Sequence, residues 1–376
     1  MRIKFKLLFI ISIVFHGCID PYSPTLSDYL NTLVVDATIT NEPGPYIVKL
    51  SKSSTVYDPE FNPVSGARIV ISDDLGNDET LTETEPGVYS TNFPGIQGIV
   101  GRRYSILIET EGKIYQSPFE ELREPVTIDS VYPKVEYRGG LEGLQFYVDT
   151  KNVKENSKHF LWTLNETYKY EADEYPLEMV FVNKDSIYEP SYEYQELIKT
   201  CWKTDKMFQI FTSSAKNISE PQILNFPLIY VDTESKKLYI KYSLLVNQYS
   251  ISEDAYRYWN EIKEQNAESG SFYTKQPFQV IGNIVNVNDP NEAIFGYFTV
   301  AGISSKRIFV DKPDLNFYFD VCKATHEAYV RWTNSDHPSY PVYLKFASGG
   351  LGKAGIGCFD CRMKGGKTNR PDFWID

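Results

Sequence analysis

From Leu33 to Ile128 the chain alternates short apolar-rich runs with turn residues. LVVDATI (33–39) runs into Asn41-Glu42-Pro43-Gly44-Pro45, and YIVKL (46–50) then alternates apolar and polar side chains. Pro63-Val64-Ser65-Gly66 leads into ARIVIS (67–72), which Asp73-Asp74-Leu75-Gly76-Asn77 turns. TLTE (80–83), VYST (88–91), YSILIET (104–110) and KIYQS (113–117) continue the series, with Pro86-Gly87 and Glu111-Gly112 between them. Alternation of period two puts every second side chain on one face, and Gly and Pro mark the reversals. The spacing predicts a β-sandwich of immunoglobulin or prealbumin type over 33–128, with Glu121–Val126 as its exit.

A larger β-rich domain is expected over 129–346. Its strand candidates are QFYVDT (145–150), HFLWTLNETY (159–168), LIYV (228–231), KLYIKYSLLVNQYS (237–250), FQVIGNIVNV (278–287), AIFGYFTVAG (293–302) and RIFV (307–310). Residues 151–227 otherwise read as loops rich in Tyr, Glu and Asn. SEDAYRYWNEIKEQ (252–265) breaks the pattern: Ser252 can cap, Glu253 and Asp254 suit a first turn, and Gly270 follows. Ala255, Tyr258, Trp259 and Ile262 share one helical stripe, which predicts a helix flanking a sheet. The fold class is therefore all-β with one flanking helix, closed by a Cys-containing tail over 347–376.

The first residues follow another pattern. Arg2, Lys4 and Lys6 precede LLFIISIVF (7–15), and Gly17 precedes Cys18. This nine-residue run, apolar but for Ser12, is too short to span a bilayer, so 1–17 reads as a signal peptide. Gly17-Cys18 matches a bacterial lipoprotein signal, with Cys18 the lipidated residue; Phe15 and His16 depart from the usual small residues. Residues 18–32, with Pro21 and Pro24, form a spacer reaching roughly 45 Å at about 3.3 Å per residue.

Composition then narrows the function. Among 376 residues, 38 Lys and Arg face 50 Asp and Glu, for a net charge of −12; loss of 1–17 leaves 35 basic side chains. Such acidity argues against nucleic-acid binding, which needs a basic face to displace counterions. With 28 Tyr, 22 Phe and 5 Trp the chain is 15% aromatic, which favours pleated, half-buried surfaces.

Four cysteines follow Cys18: Cys201, Cys322, Cys358 and Cys361. In an exported protein an even number reads as two disulfides, and three pairings are open. Cys358-Phe359-Asp360-Cys361 is also a C-x-x-C, but Arg362-Met363-Lys364-Gly365-Gly366 is a poor helix start for a redox site. A four-cysteine zinc site normally needs two close pairs. Gly350–Gly355 fits G-x-G-x-x-G formally but lacks a following helix, and Gly366-Lys367-Thr368 lacks the leading glycine of a P-loop. Neither G-x-S-x-G nor H-E-x-x-H occurs, and His159, His326 and His337 fall in no triad spacing. Asp73–Asp78 reads as a hairpin turn, not a calcium loop. No catalytic residue, metal site or cofactor is nominated. Arg362, Lys364, Lys367 and Arg370 form a basic stretch that suits an anionic partner or, alternatively, belongs to a tail pinned by Phe373 and Trp374. Tyr168, Tyr170, Tyr192 and Tyr194 are candidate aromatic platforms for a sugar or peptide.

TNEPGPYIVKLSKS, PVSGARIVISDDLGN, YSLLVNQYSISEDAYRYW, QPFQVIGNIVNVND, IFGYFTVAGISSKRIFV and the terminal CFDCRMKGGKTNRPDFW resemble the bacterial lipoprotein family known as domain of unknown function 4249. The resemblance implies a lipid-anchored outer-membrane protein of Gram-negative bacteria, commonly encoded beside TonB-dependent transporters, and implies no activity. The expectation is a non-catalytic binding or accessory module that works with such a transporter in nutrient uptake. A structural or adhesive surface lipoprotein and an envelope thiol oxidoreductase are the alternatives.

Overall fold

Alternating apolar positions become buried strand faces. A computed structural model describes residues 31–375 apart from 55–60, 176, 184–185, 217, 219, 269–279, 327–340 and 348–349. The expected signal peptide, Cys18 and most of the spacer lie outside the described residues, as do Gly270 and His337. The principal strands are β1 (Leu33–Thr40), β2 (Ile47–Lys52), β3 (Arg68–Asp73), β4 (Arg103–Thr110), β5 (Lys113–Gln116), β6 (Ser130–Arg138), β7 (Leu141–Thr150), β8 (His159–Glu171), β9 (Ile223–Asp232), β10 (Lys241–Ile251) and β11 (Ile294–Asp311). Two α-helices occur among the described residues, α1 (Tyr192–Lys199) and α2 (Glu253–Glu268).

One ten-stranded sheet runs through the molecule, with β8, β10, β11, β1 and β2 adjacent in that order. β1 and β11 pair in parallel, Leu33 opposite Ile294 through Thr40 opposite Ala301. β10 and β11 pair antiparallel from Lys241–Asp311 to Ser250–Gly302. The expected boundary at 128/129 is thus crossed: β11 completes the sheet that β1 begins, and Val285–Asn286 pairs with β5. Gly296 sits at φ 103° on β11, where a Cβ would collide with the Val35 carbonyl, so glycine is what lets this parallel pair close.

Register decides the core. Leu33, Val35, Ala37 and Ile39 share a face with Phe298 and Val300 and pack against Ile69, Ile71, Ile106 and Ile108 of the β3–β4 sheet. The same sheet face continues through Phe160, Trp162 and Leu164 on β8 and Leu244 and Val246 on β10. There it meets Leu144, Phe146, Val148 and Val231 of the β6–β7–β9 sheet. One face of one long sheet therefore serves two sandwich cores. At about 1.5–3 kcal/mol per fully buried large apolar side chain, these two clusters dominate the favourable side of folding.

The reverse face carries α2. Ser252 Oγ accepts from the Ala255 N–H, and Ala255, Tyr258, Trp259 and Ile262 pack with Leu161, Ile251, Tyr297 and Ala301, as the helical stripe predicts. Glu120 is half-buried at this junction, its carboxylate taking hydrogen bonds from Tyr297 Oη, Ser252 Oγ and Asn283 Nδ2, while its enclosed Oε2 has no partner among the described residues. Burial pushes its carboxyl above the ordinary value of 4.5. With the folded value raised, stability should decline as pH climbs from about 4.5 through that value and then level off. Glu120→Gln should flatten that decline; denaturation series at several pH values that stay parallel for the two proteins would contradict it.

Some sequence expectations need correction. The strands at 293–302 and 307–310 are one 18-residue strand, because Ser304–Lys306 keep their pairing with β10. TLTE divides at Leu81, which is buried: Asp78–Thr80 lies in one sheet of the sandwich and Thr82–Glu85 in the other. Within 278–287 only Val285–Asn286 is strand among the described residues. Asn283 instead uses its side-chain amide to receive the Phe298 N–H and to donate to the Phe298 carbonyl. The 151–227 region also contains α1, capped by Ser191 and anchored by buried Ile198. Asp73 is the expected turn: its carboxylate accepts from the Leu75 and Asn77 N–H groups, the Asn77 amide and Arg102. Burial pushes this carboxyl up, but those donors outweigh burial and hold it below its ordinary value.

Candidate functional site

The cysteines pair as Cys201–Cys361 and Cys322–Cys358, with Cα–Cα distances of 5.7 and 5.6 Å. The C-x-x-C cysteines are therefore bonded to two different distant partners and not to each other. Gly350–Lys353 is a strand followed by a short 3-10 turn, Ile356–Cys358, so no helix N-terminus follows the glycines. Among the described residues no group of three or more His, Cys, Asp or Glu is placed to hold a metal ion.

The basic tail is folded onto the body. Arg362 clamps the buried Asp360 carboxylate through two nitrogens, at 2.9 and 2.7 Å. Lys364 reaches Asp173 at 3.0 Å, and Asp173 also takes an ion pair from Lys236. Lys367 exchanges backbone hydrogen bonds with Trp202, at 2.8 and 2.9 Å, and its side chain is exposed, as is Arg370. Trp374 is buried between Trp202 and Phe309, while Arg307 lies 3.6 Å over the Phe373 ring. Arg362 and Lys364 of the basic stretch are thus engaged by internal carboxylates.

The four tyrosines do not come together as one platform. Tyr170 is buried and donates to the Cys361 carbonyl at 2.6 Å, with Tyr168 packed beside it. Tyr192 stands exposed on α1, and the Tyr194 hydroxyl meets that of Tyr343 at 3.2 Å.

A small cavity of about 190 Å³ borders Tyr170, Asp173 and Lys236, and two roomier ones lie on either side of segment 206–210. One cavity of about 590 Å³ is walled by Phe226, Pro227, Leu228 and Gln145, with Arg138 and Lys263 at its edge. Arg138 is paired with Glu136, and Lys263 reaches Thr212. Gln145 is fully buried, its amide nitrogen donating to the Phe146 carbonyl.

The second cavity, of about 490 Å³, sits on the reverse face of the long sheet beside α2. Register dictates its floor. Thr163 and Asn165 on β8, Asn247 and Tyr249 on β10, Thr299 on β11, and Asp36 and Thr38 on β1 all project to this face. Trp259 of α2 and Phe208 of the 206–210 segment complete the wall. Asn247 is fixed by hydrogen bonds with Ser305 at 2.8 Å and Thr163 at 3.5 Å. Burial pushes the Tyr249 hydroxyl above its ordinary range, so it stays protonated at neutral pH. The Thr299 hydroxyl and the Trp259 indole N–H are both shut off from solvent, and neither has a hydrogen-bond partner among the described residues. An unpaired buried polar group costs about 1–3 kcal/mol, and with no accessible surface neither group is open to a molecule in the cavity. The set is made of uncharged donors, acceptors and aromatic rings, which suits binding. Sequence reading missed it because Thr299 lies inside the apolar run AIFGYFTVAG and Trp259 counts as core on the helical stripe. The available signal was the polar alternation of Thr163, Asn165 and Asn247 within strands otherwise apolar.

No curated protein matches the chain. A chain from the structural work on the manganese lipoxygenase of Gaeumannomyces graminis and a partial zonadhesin of Komagataella pastoris is similar over 60% of this chain and 90% of its own, at 9% identity and a TM-score of 0.17. The Yersinia pseudotuberculosis adhesin InvE is similar over 57% of this chain and 54% of its own, at 15% identity and a TM-score of 0.17. The model of the family described as domain of unknown function (DUF4249) matches residues 19–307, well over half of the sequence, and the chain belongs to that family.

Proposed function

We propose that the protein is a lipid-anchored outer-membrane binding module, without a catalytic role, that presents a captured ligand to a TonB-dependent transporter. The observation that carries the binding role is the cavity beside α2, about 490 Å³ in volume, with Thr38, Thr163, Asn165 and Asn247 on its floor and Tyr249, Trp259 and Phe208 in its wall. Its size falls in the range of small-molecule sites, and its polar groups converge from four adjacent strands and one helix. The basic Arg2–Lys6 start, the apolar run at 7–15 and Gly17-Cys18 support the anchor. No helix among the described residues is long and apolar enough to cross a membrane. The transporter partner is the expectation attached to the family resemblance. Capture of the tagged full chain from solubilised outer membranes should bring down a β-barrel transporter. Repeated failure, with nutrient uptake intact and attachment altered in a deletion strain, would replace this reading with a surface-adhesive one.

A further inference from the structure

The larger cavity, of about 590 Å³, joins an apolar wall to a border of one sign of charge, and the binding role proposed above does not use it. It opens where the long sheet and the β6–β7–β9 sheet part at their edges. Phe226, Pro227 and Leu228 come from β9, which pairs with β7 alone among the described strands. Phe211 begins a short strand, Phe211–Ser214, that runs along one side of β8. Phe226 and Ile210 are half-buried and Pro227 is exposed, so these side chains offer apolar surface to a molecule in the cavity. Gln145 is fully buried and closes the wall without presenting a polar group. Pro227 carries no N–H, which makes this edge a poor template for an added strand and suits a compact ligand better than an extended peptide.

The charged residues in its lining are Arg138 and Lys263, and no carboxylate joins them there among the described residues. Arg138 is already engaged: its Nε and Nη2 donate to Glu136 at 3.1 and 2.9 Å, and its guanidinium lies 5.0 Å from the centre of the Tyr230 ring. Lys263 is half-buried and donates to Thr212 Oγ1 at 3.2 Å, which uses one of its three N–H groups. It forms no ion pair among the described residues. One helical turn away on α2 stand Trp259, Asn260, Asn266 and Ala267, none of them acidic, and neither Glu261 nor Glu264 lines the cavity. The acidity of the chain as a whole is screened by salt beyond about 8 Å, so the border residues set the local charge. We infer that this cavity is a second binding site, for an organic carboxylate with an apolar body: the body lies on Ile210, Phe226 and Pro227, and the carboxylate accepts from Lys263 Nζ. The inference stands apart from the cavity beside α2 and from the transporter reading.

The test titrates 4-phenylbutyrate and hexanoate, each beside its uncharged amide, into the full chain held in lipid nanodiscs, with empty nanodiscs as the blank. At least one carboxylate should bind, roughly fivefold to tenfold more tightly than its amide. Lys263→Met, which keeps the apolar stem and removes the charge, should erase that preference, and Lys263→Arg should keep it. A photoreactive carboxylate, 3-(4-benzoylphenyl)propionate, gives the position on the parent protein, independent of how any variant folds. On irradiation it should label peptides that hold residues 209–211 or 226–228, and excess 4-phenylbutyrate should suppress the label. Failure of both carboxylates to bind would overturn the inference, as would amides that bind as tightly as the acids. A preference that survives Lys263→Met, or labelling confined to other segments, would overturn the site. None of these results bears on transporter capture, so failure here and failure of the proposed function are told apart.

Discussion

Replacing Cys201 and Cys361 together by alanine should destabilise the protein by about 3–5 kcal/mol, among the largest effects of any single change to it. These cysteines are 160 residues apart, and both are fully buried. Cross-linking positions so distant removes more freedom from the unfolded chain than a short loop does. In the folded protein the bridge fastens the C-terminal tail to the strand at Thr200–Lys206. Tyr170, the Trp202–Lys367 backbone pair and Trp374 close around it. Alanine at Cys322 and Cys358, which close a 36-residue separation, should cost about 1 kcal/mol less on loop entropy alone. Urea denaturation of the two double variants checks this. A larger loss from the shorter loop would show that local packing, not chain entropy, sets the contribution of these bridges.

The second large effect concerns a buried carboxylate. Glu166 on β8 is 1% exposed and is held by an ion pair from Lys237 and a hydrogen bond from the Tyr242 hydroxyl at 3.0 Å. Lys237→Met leaves that carboxylate in the core of the second sandwich with the Tyr242 hydroxyl as its remaining donor. Removing one partner of a buried pair typically costs about 3–5 kcal/mol. The lower end is expected here, because the Lys237 side chain is 29% exposed and water can reach the vacated side. Adding Glu166→Gln to Lys237→Met should return a substantial part of the loss, since the stranded charge is then gone. A double-mutant cycle by chemical denaturation reads the coupling directly. A loss below about 0.5 kcal/mol for Lys237→Met would mean that the pair behaves as an exposed one.

Much of the fold was legible because strands with one buried face advertise themselves. LVVDATI and YSILIET alternate, and both are strands at nearly the expected residues. The stripe Ala255, Tyr258, Trp259 and Ile262 announced α2 for the same reason, with Ser252 marking its start. Where two faces are covered the period disappears. β11 packs Phe298 and Val300 into one core and Tyr297 and Ala301 against α2, so its sequence shows no alternation. Long-range pairing was not legible at all. Nothing in LVVDATI says that its neighbour lies some 260 residues later, and that single parallel pair fuses the expected sandwich with the second region. α1 was hidden because Tyr192 and Tyr194 favour strands, and its signal reduces to the Ser191 cap and one buried Ile198.

The candidate site divides in the same way. Two disulfides were readable from an even number of cysteines in a chain read as exported, whereas the pairing depended on where the tail returns. The basic stretch was readable as charge. Its use of Arg362 on Asp360 and Lys364 on Asp173 was not, because Asp173 is 191 residues from Lys364. The cavity beside α2 was least legible of all: its lining comes from four strands and a helix spread over residues 36–299, and only register gathers them.

The most direct measurement of the central proposal is the partner list of the tagged full chain, captured after cross-linking in intact cells and identified by mass spectrometry. A lipid-anchored binding module serving a transporter should be joined reproducibly to a TonB-dependent β-barrel in the outer-membrane fraction, and Cys18→Ala should abolish both the membrane association and that cross-link. A partner list without any such barrel, from cells in which the protein is nevertheless anchored, would contradict the account.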